Sequence, residues 1–412
     1  MDTFYNTPFP MDRIPEPVFP STVISAAAYS TIQEAIDACI AAGGGTVEIP
    51  AGEWHTGPLR LGSRIRLLIQ REATVIFSDD PADYLPVVFT RWEGTECYNY
   101  TPLIYALDAA DVAVCGRGLL MGNGAKWWDW KKLQGPGSNA LYDAAASKVP
   151  VEQRVYGTEE TALRPSFVQF VRCTRVLVEG VRLLDGPQWT LHPVYCSDVI
   201  VRGIQIQTSG PNTDGLNPDS CRNVLIEDST FCTGDDCVAI NSGLNEDGWR
   251  VAIPCENVVI RRCAMTGGHG GIVVGSAISG GARNIYAYDC MITDTMQGLR
   301  LKSMRGRGGI VENAWFHHIH IGTVSHEAIQ VNMFYEFSTV MPKTETPSCF
   351  RDLHFSDVHC DSAQVGIALK GLPEKNLQNI ILRDIEGNAQ QAMLCSDVSG
   401  LTVERVTLNP LN

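Results

Sequence analysis

The sequence predicts an all-β protein: a right-handed parallel β-helix, a solenoid of roughly ten coils, closed at one end by an N-terminal capping helix. Three observations lead there. A five-residue phrase recurs along the second half of the chain. A second apolar column keeps step with it. Both show the two-residue alternation of strands with one buried face.

The phrase is a polar pair followed by apolar, any, apolar. It reads TRVLV at 174–178, SDVIV at 197–201, RNVLI at 222–226 and ENVVI at 256–260. It continues as RNIYA at 283–287, ENAWF at 312–316, RDLHF at 351–355 and QNIIL at 378–382, and ends as SGLTV at 399–403. The central residues are Val176, Val199, Val224, Val258, Ile285, Ala314, Leu353, Ile380 and Leu401, spaced 21 to 39 residues apart. The wider gaps hold insertions such as 241–255 and 333–349. A unit this short cannot bury its own apolar face, whereas stacked units bury a continuous core. The LxxLxL pattern of leucine-rich repeats is absent, and a propeller needs a fixed period of about 40 residues that these gaps do not keep.

The second column aligns WTLHPVY (189–195), DGLNPDS (214–220), DCVAINS (236–242), GGIVVGS (270–276), QGLRLKS (297–303) and EAIQVNM (327–333). The third residue is always apolar: Leu191, Leu216, Val238, Ile272, Leu299 and Ile329. These point inward, and their neighbours form outward rows on one wall. Upstream, TIQEAIDACIAA (31–42) has helical spacing, with Ser30 placed as N-cap and GGG at 43–45 as its stop. A helix there covers solenoid strand edges that would otherwise be open. Weaker strand signals stand at 46–49, 65–69 and 74–77. Residues 1–412 read as a single β-helix domain, with the cap at about 20–60, a long loop segment at about 85–165 and the core catalytic coils at about 166–335.

Composition narrows the function classes. A net charge of −14 with no basic face argues against nucleic acid. No apolar run reaches the length of a membrane span, so no membrane partner is expected. The N-terminus has an early Asp and several prolines and lacks the order of a signal peptide, which places the protein in the cytoplasm as an expectation. The 14 cysteines then read as reduced, mostly buried thiols. No CxxC pair occurs, and neither a metal nor a cofactor is expected. His317, His318 and His320 look like a metal site only superficially, because no acidic ligand is spaced with them.

The rows carry the chemistry. One contains Trp189, Asp214, Asp236, Gly270, Gln297 and Glu327, with Asp235 and His269 one residue earlier. Strands stack about 4.8 Å apart, so three carboxylates gather over two coils. His269 lies one coil on, and Arg300 and Lys302 lie a coil beyond that. Crowded carboxylates repel and raise at least one pKa, which suits a pair doing acid and base work on a glycosidic bond. A lone Asp in a turn more often satisfies backbone groups, but six such side chains in one patch favour catalysis.

Asn212-Thr213-Asp214, Gly234-Asp235-Asp236, Gly268-His269-Gly270 and Arg300-Leu301-Lys302 resemble, in order, the four signatures of polygalacturonases, glycoside hydrolase family 28. Leu301 stands where that family often carries Ile, and the likeness covers about 165–400. The resemblance implies inverting hydrolysis of α-1,4-linked galacturonic acid in a galacturonate polysaccharide or oligosaccharide. It implies Asp235 as general acid, Asp214 and Asp236 as the pair activating water, and His269 as the residue tuning the acid. Arg300 and Lys302 would bind a substrate carboxylate, and Asn212 the sugar or a neighbouring Asp. The row places Asp214 close to Asp236, a spacing that by itself reads as retaining; the family is inverting.

Trp189 reads equally as a sugar-stacking ring or as packing. His192, in the row of Arg300, reads as a sugar contact or a structural hydrogen bond. Arg305 and Arg307 read as a solvated loop or a second carboxylate clamp. Trp92, Glu93 and Tyr98, with Trp127, Trp128 and Trp130, either line a cleft or clamp loops to the solenoid. Three other functions compete: a pectate lyase, a hydrolase of a rhamnogalacturonan or substituted galacturonan, and a non-enzymatic carbohydrate-binding β-helix. Exo-trimming of short imported chains is expected, with 85–165 walling off one end of the cleft. Oligomeric state is not legible.

Overall fold

A computed structural model describes residues 4–335 and 346–411. Most of the insertion at 333–349 therefore lies outside the described residues. The chain winds as a parallel solenoid whose strands stack in three columns, here called the first, second and third sheets.

The first sheet begins with Val23–Ser25, Gly45–Ile49, Ile65–Ile69, Ala110–Gly116 and Thr174–Glu179, and continues through the recurring phrase. Its register matches expectation throughout: Val176 pairs with Val199, Val199 with Val224, Val224 with Val258 and Val258 with Ile285. Ile285 then pairs with Ala314, Ala314 with Leu353, Leu353 with Ile380 and Ile380 with Leu401. The polar pair has a backbone cause. Its second residue is left-handed in coil after coil, with φ of 58° at Asp198, 56° at Asn223, 57° at Asn257 and 56° at Asn284. Asn, Asp and Gly tolerate that conformation best, which explains the recurring residue types. Three asparagines there also form a ladder: Asn223 donates to Asp198, Asn257 to Asn223 and Asn284 to Asn257, each at 3.0 Å.

The second sheet follows each first-sheet strand around a corner, as in Arg182–Leu184, Gln205–Gln207, Thr230–Thr233 and Ala264–Gly267. The third carries the apolar column. Leu191 bridges Leu216 and Leu216 bridges Val238; Val238 pairs with Ile272, Ile272 with Leu299 and Leu299 with Ile329. All six are buried within one core that runs from Ala26 to Ala389.

Helix α1 (Ile32–Ala41) packs Ile32, Ala35, Ile36 and Cys39 onto that core and caps it. Its N-cap is Thr31 rather than Ser30. The Thr31 hydroxyl accepts from the Glu34 amide at 3.1 Å, and the Glu34 carboxylate accepts from the Ser30 amide at 3.0 Å, so Ser30 takes the partner role in the cap. The N-terminal strap buries Tyr5, Phe9, Met11 and Ile14 against the outer face of the first sheet, over Leu177, Ile200, Leu225 and Val259. Those four occupy the unrestricted middle position of the phrase, and the strap accounts for their being apolar.

The reading of 85–165 as loop needs correction. Ala110–Gly116 and Leu119–Met121 are coil strands, with Val112 paired to Val176. Val88–Trp92 and Thr95–Asn99 form an antiparallel hairpin. Helix α2 (Ala125–Trp128) and helix α3 (Gly135–Ala146) follow, and helix α4 (Asn245–Val251) fills the insertion at 241–255. No helix among the described residues is long and apolar enough to cross a membrane.

Candidate active site

The third sheet and the turns entering it build one wall. Thr190 donates its amide to the Asp214 carbonyl at 2.8 Å, Gly215 to Asp236 at 3.0 Å and Cys237 to Gly270 at 2.8 Å. This ladder sets Asp214, Asp236 and Gly270 on successive coils. The glycines beside His269 follow from crowding. A Cβ at Gly268, where φ is +65°, would meet the Asp235 carbonyl oxygen at 1.9 Å. A Cβ at Gly270 would meet Asp236 Oδ1 at 3.1 Å. The strand after Asp235 can approach this closely only without side chains.

Each carboxylate has its own partner. Asp235 Oδ1 lies 2.9 Å from His269 Nδ1 and accepts the Asp236 amide at 2.9 Å. Asp236 Oδ2 accepts from Lys302 Nζ at 2.8 Å, and its Oδ1 accepts from Arg300 Nη1 at 3.4 Å. Asp214 Oδ2 accepts from Asn217 Nδ2 at 2.9 Å. The three acids therefore differ electrostatically. Burial, reinforced by the charges of Asp235 and Asp236, pushes Asp214 well above the usual carboxylate range. Burial also acts upward on Asp235, but the His269 hydrogen bond and charge outweigh it and hold that carboxyl low. His269 rises in turn, chiefly through its bond to Asp235.

The resemblance places the acid's proton on Asp235, whereas in the empty site the field favours Asp214. The Asp235–His269 pair removes the conflict. A cationic imidazole beside a carboxylate and a neutral imidazole beside a carboxylic acid hold the same single proton, so it belongs to the pair. Burial pushes the Lys302 ammonium down, but Asp236, helped by Tyr335 and Asp235, raises its pKa overall. Arg300 Nε is buried without a hydrogen-bond partner among the described residues. The Tyr335 ring lies 5.6 Å from Arg300 Cζ and 5.0 Å from Lys302 Nζ. Asp235, Asp236 and His269 offer ligand atoms within 4.8 Å of one another, the spacing of a metal site. Lys302 and His269 already supply the positive charge those carboxylates need.

These groups open into a cavity of about 920 Å³. Its walls include Trp189, Asn212 and Arg307, with Gln134, Ser138 and Tyr142 from the α3 region. A groove of about 970 Å³ elsewhere has arginines, but its acids Glu16 and Glu179 are both bound to Arg202, so volume alone does not mark the site.

A sequence model of the family described as "Glycosyl hydrolases family 28" matches residues 151–406. The chain belongs to glycoside hydrolase family 28. A hyperthermoactive exopolygalacturonase from Thermotoga maritima is 36% identical with a TM-score of 0.92, covering 96% of this chain and 94% of that one. A family 28 exopolygalacturonase from Yersinia enterocolitica shares the fold at 21% identity and a TM-score of 0.78, covering 95% of this chain and 78% of that one. A probable polygalacturonase of Vitis vinifera is 27% identical over 374 residues, 87% of this chain and 71% of the relative. An exo-poly-α-D-galacturonosidase of Dickeya chrysanthemi is 25% identical over 74% of this chain, which spans about half of that protein, 54%.

In this family 28 chain the structure gathers Asp214, Asp235, Asp236, His269, Lys302, Asn212 and Trp189 around one cavity, with Arg300 behind them, 3.4 Å from Asp236 Oδ1. It does not bring His192 there. His192 is buried, 2.9 Å from Gln169 Nε2 and 3.4 Å from Asp219, and burial lowers its pKa, so its role here is structural. Trp189 is itself largely buried and meets the His192 ring edge-on at 4.7 Å. The other aromatics clamp. Trp127 packs among Tyr84, Tyr100 and Trp130, Trp128 donates to the Gly186 carbonyl, and Trp92 donates to that of Arg164. Glu93 does reach the cavity, held by Gln188 and Tyr142. Arg305 pairs with Glu374, and Arg307 donates to Asn245 beside the cavity.

The sequence reading missed the residues that hold these groups. Arg164 is fully buried and donates to Asn212 Oδ1 at 2.8 Å and to the carbonyls of Pro187 and Pro211. Burial lowers its pKa to about 10. Arg91, from the hairpin, pairs with Asp219 at 2.9 Å with both side chains wholly buried. No local pattern marks either arginine. Asn217 does fall in an outward row next to Asp214, and that adjacency was the available signal.

Proposed function

We propose that this protein hydrolyses α-1,4-linked galacturonic acid in galacturonans or oligogalacturonides, with inversion, from a chain end. One observation carries the reading: Asp214, Asp235 and Asp236 share a cavity with His269 and Lys302, Arg300 lies against Asp236, and each carboxylate has a different partner.

The Asp235–His269 pair delivers its proton to the leaving glycosidic oxygen as the bond to the anomeric carbon breaks. Asp214 and Asp236 orient a water on the opposite face and take its proton as its oxygen joins that carbon. Lys302 donates to Asp236 Oδ2 and fixes the orientation of that carboxyl group. Arg300 offers a planar donor set to a uronate carboxylate, a geometry matched to Arg. Support for end-wise action comes from the α3 region, whose Gln134, Ser138 and Tyr142 wall the cavity, and from the exopolygalacturonase at 36% identity.

Digestion of trigalacturonate and polygalacturonate by the wild type and Asp235→Asn tests the activity. The variant is expected to lose about 10²–10⁴-fold in kcat with KM little changed. Equal rates for both proteins would refute it. A galacturonate pentamer tests the mode: steady monomer release supports trimming, and early mid-length products refute it. Proton NMR of the first product gives the anomer.

We also place the protein in the cytoplasm. The support is that the cysteines are all free and mostly buried, as expected in a reducing compartment. Cell fractionation tests this, and recovery in an extracellular fraction would refute it.

A further inference from the structure

We propose that His320, His359 and Asp361 form a binding site for a divalent transition-metal cation of the zinc or nickel type, on the second sheet and separate from the carboxylate cavity.

The solenoid creates the grouping. His320, in Ile310–Thr323, and His359, in Cys349–Lys370, are register partners on adjacent coils. Their ring centroids lie 5.3 Å apart. Asp361 follows His359 by two residues, so the strand alternation returns it to the same face. Its carboxylate spans the two rings, with Oδ2 3.1 Å from His320 Nε2 and Oδ1 3.0 Å from His359 Nε2. All three donor atoms fall within 4.8 Å of one another. No acidic ligand is spaced with the histidine run in the sequence because Asp361 arrives one coil later. His318 does not join; it bonds Asp289 instead, and His317 bonds Ser356.

The donor set selects the ion. Tetrahedral zinc with bonds of about 2.0–2.1 Å wants its ligand atoms roughly 3.3 Å apart, so the present spacing needs only small side-chain rotations. Two imidazoles and a carboxylate suit zinc, nickel or copper. Calcium and magnesium would want oxygen alone. Each ring would bind the cation through Nε2 as the neutral imidazole, with its one proton on Nδ1 and any second proton released to solvent. All three side chains are about half exposed, so the ion can enter and water can complete its shell. Glu386, next in the row after His359, and Asp357, in the same groove, add negative charge. Ligands on paired strands are held in place better than ligands on a loop.

The test uses the full chain without a histidine tag, treated with chelator and titrated with nickel chloride near neutral pH. Calorimetry and thermal melts give the readout. Wild type is expected to show a saturable site and a rise in Tm, since binding to the native state stabilises it. His320→Ala and His359→Ala should each weaken binding by at least about tenfold, the smaller loss seen when only a ligand's supporting partner is removed. The double variant should lose both signals, and His318→Ala should keep them. The substituted residues are exposed, and melts without metal verify folding. Absence of saturable binding in the wild type would overturn the proposal. So would undiminished binding in the double variant, which would assign the ion elsewhere, such as the Asp235–Asp236–His269 cluster.

Discussion

His269 Nδ1 lies 2.9 Å from Asp235 Oδ1, so residues from successive coils share one proton. Each shifts the other: His269 is raised above its ordinary 6.5 and Asp235 is lowered from 3.8. The stability that His269 adds is full below its unfolded pKa and lost as pH rises through its raised folded value. The part that Asp235 adds is present above 3.8 and lost as pH falls through its lowered value. For catalysis, kcat/KM should fall on the alkaline side with an apparent pKa above 6.5, as the pair loses its proton. In His269→Ala the buried Asp235 loses its counter-charge, its pKa climbs and that limb moves. Rate profiles against pH for both proteins check this, and an unmoved limb would contradict it.

Asp214 gives the opposite sign. Its folded pKa is raised, so the folded state binds its proton more tightly than the unfolded chain does. Its stabilising share is present below the unfolded value and lost as pH rises through the folded one. Asp214→Asn should therefore melt higher than wild type at neutral pH, with the difference shrinking toward pH 4, while hydrolysis collapses. Buried acids kept for function commonly cost stability. Paired melts at both pH values measure it.

Lys302 and Asp236 form a buried ion pair, with side chains 8% and 3% exposed. Removing one partner strands the other, a loss of about 3–5 kcal/mol. Lys302→Met should lower the urea midpoint accordingly and raise KM. Adding Asp236→Asn should recover much of the stability but none of the activity. A double-mutant cycle in urea separates these terms.

Arg164 acts through Asn212. Arg164→Met leaves the carbonyls of Pro187 and Pro211 and the Asn212 oxygen without their donor. Each unsatisfied buried group costs about 1–3 kcal/mol. The variant is expected to lose stability and also kcat/KM, whereas Asn212→Gly, which tolerates the left-handed φ of 54° and leaves Arg164 its other acceptors, should lose kcat/KM with a smaller loss of stability. Denaturation curves beside trigalacturonate kinetics test the pair.

Much was legible because it is local. Val176 to Leu401 and Leu191 to Ile329 paired as read, since a strand that buries alternate residues cannot slip by one without exposing its core face. Left-handed Asn and Asp residues recur at most of the corners, with Arg175 and Gly400 in the first and last copies of the phrase. The coil at 110–121 was not recognised, because ADVAV at 110–114 matches the phrase in all but its first residue and the insertion at 122–165 separates it from its neighbour. The choice between the two readings of His192 escapes the row pattern for a related reason. Its row points outward, but Arg91 and Gln169 close over it from other segments.

By itself, then, the amino-acid order determined the coil, the register and the four motifs that face one wall, because strand alternation and corner conformation are set within a few residues. Only the tertiary structure decided which of those side chains meet the cavity, which acid is raised or lowered, and how Arg164, Arg91 and Asp361 find partners from distant segments. Burial and charge depend on what packs from elsewhere in the chain, and no local pattern encodes that.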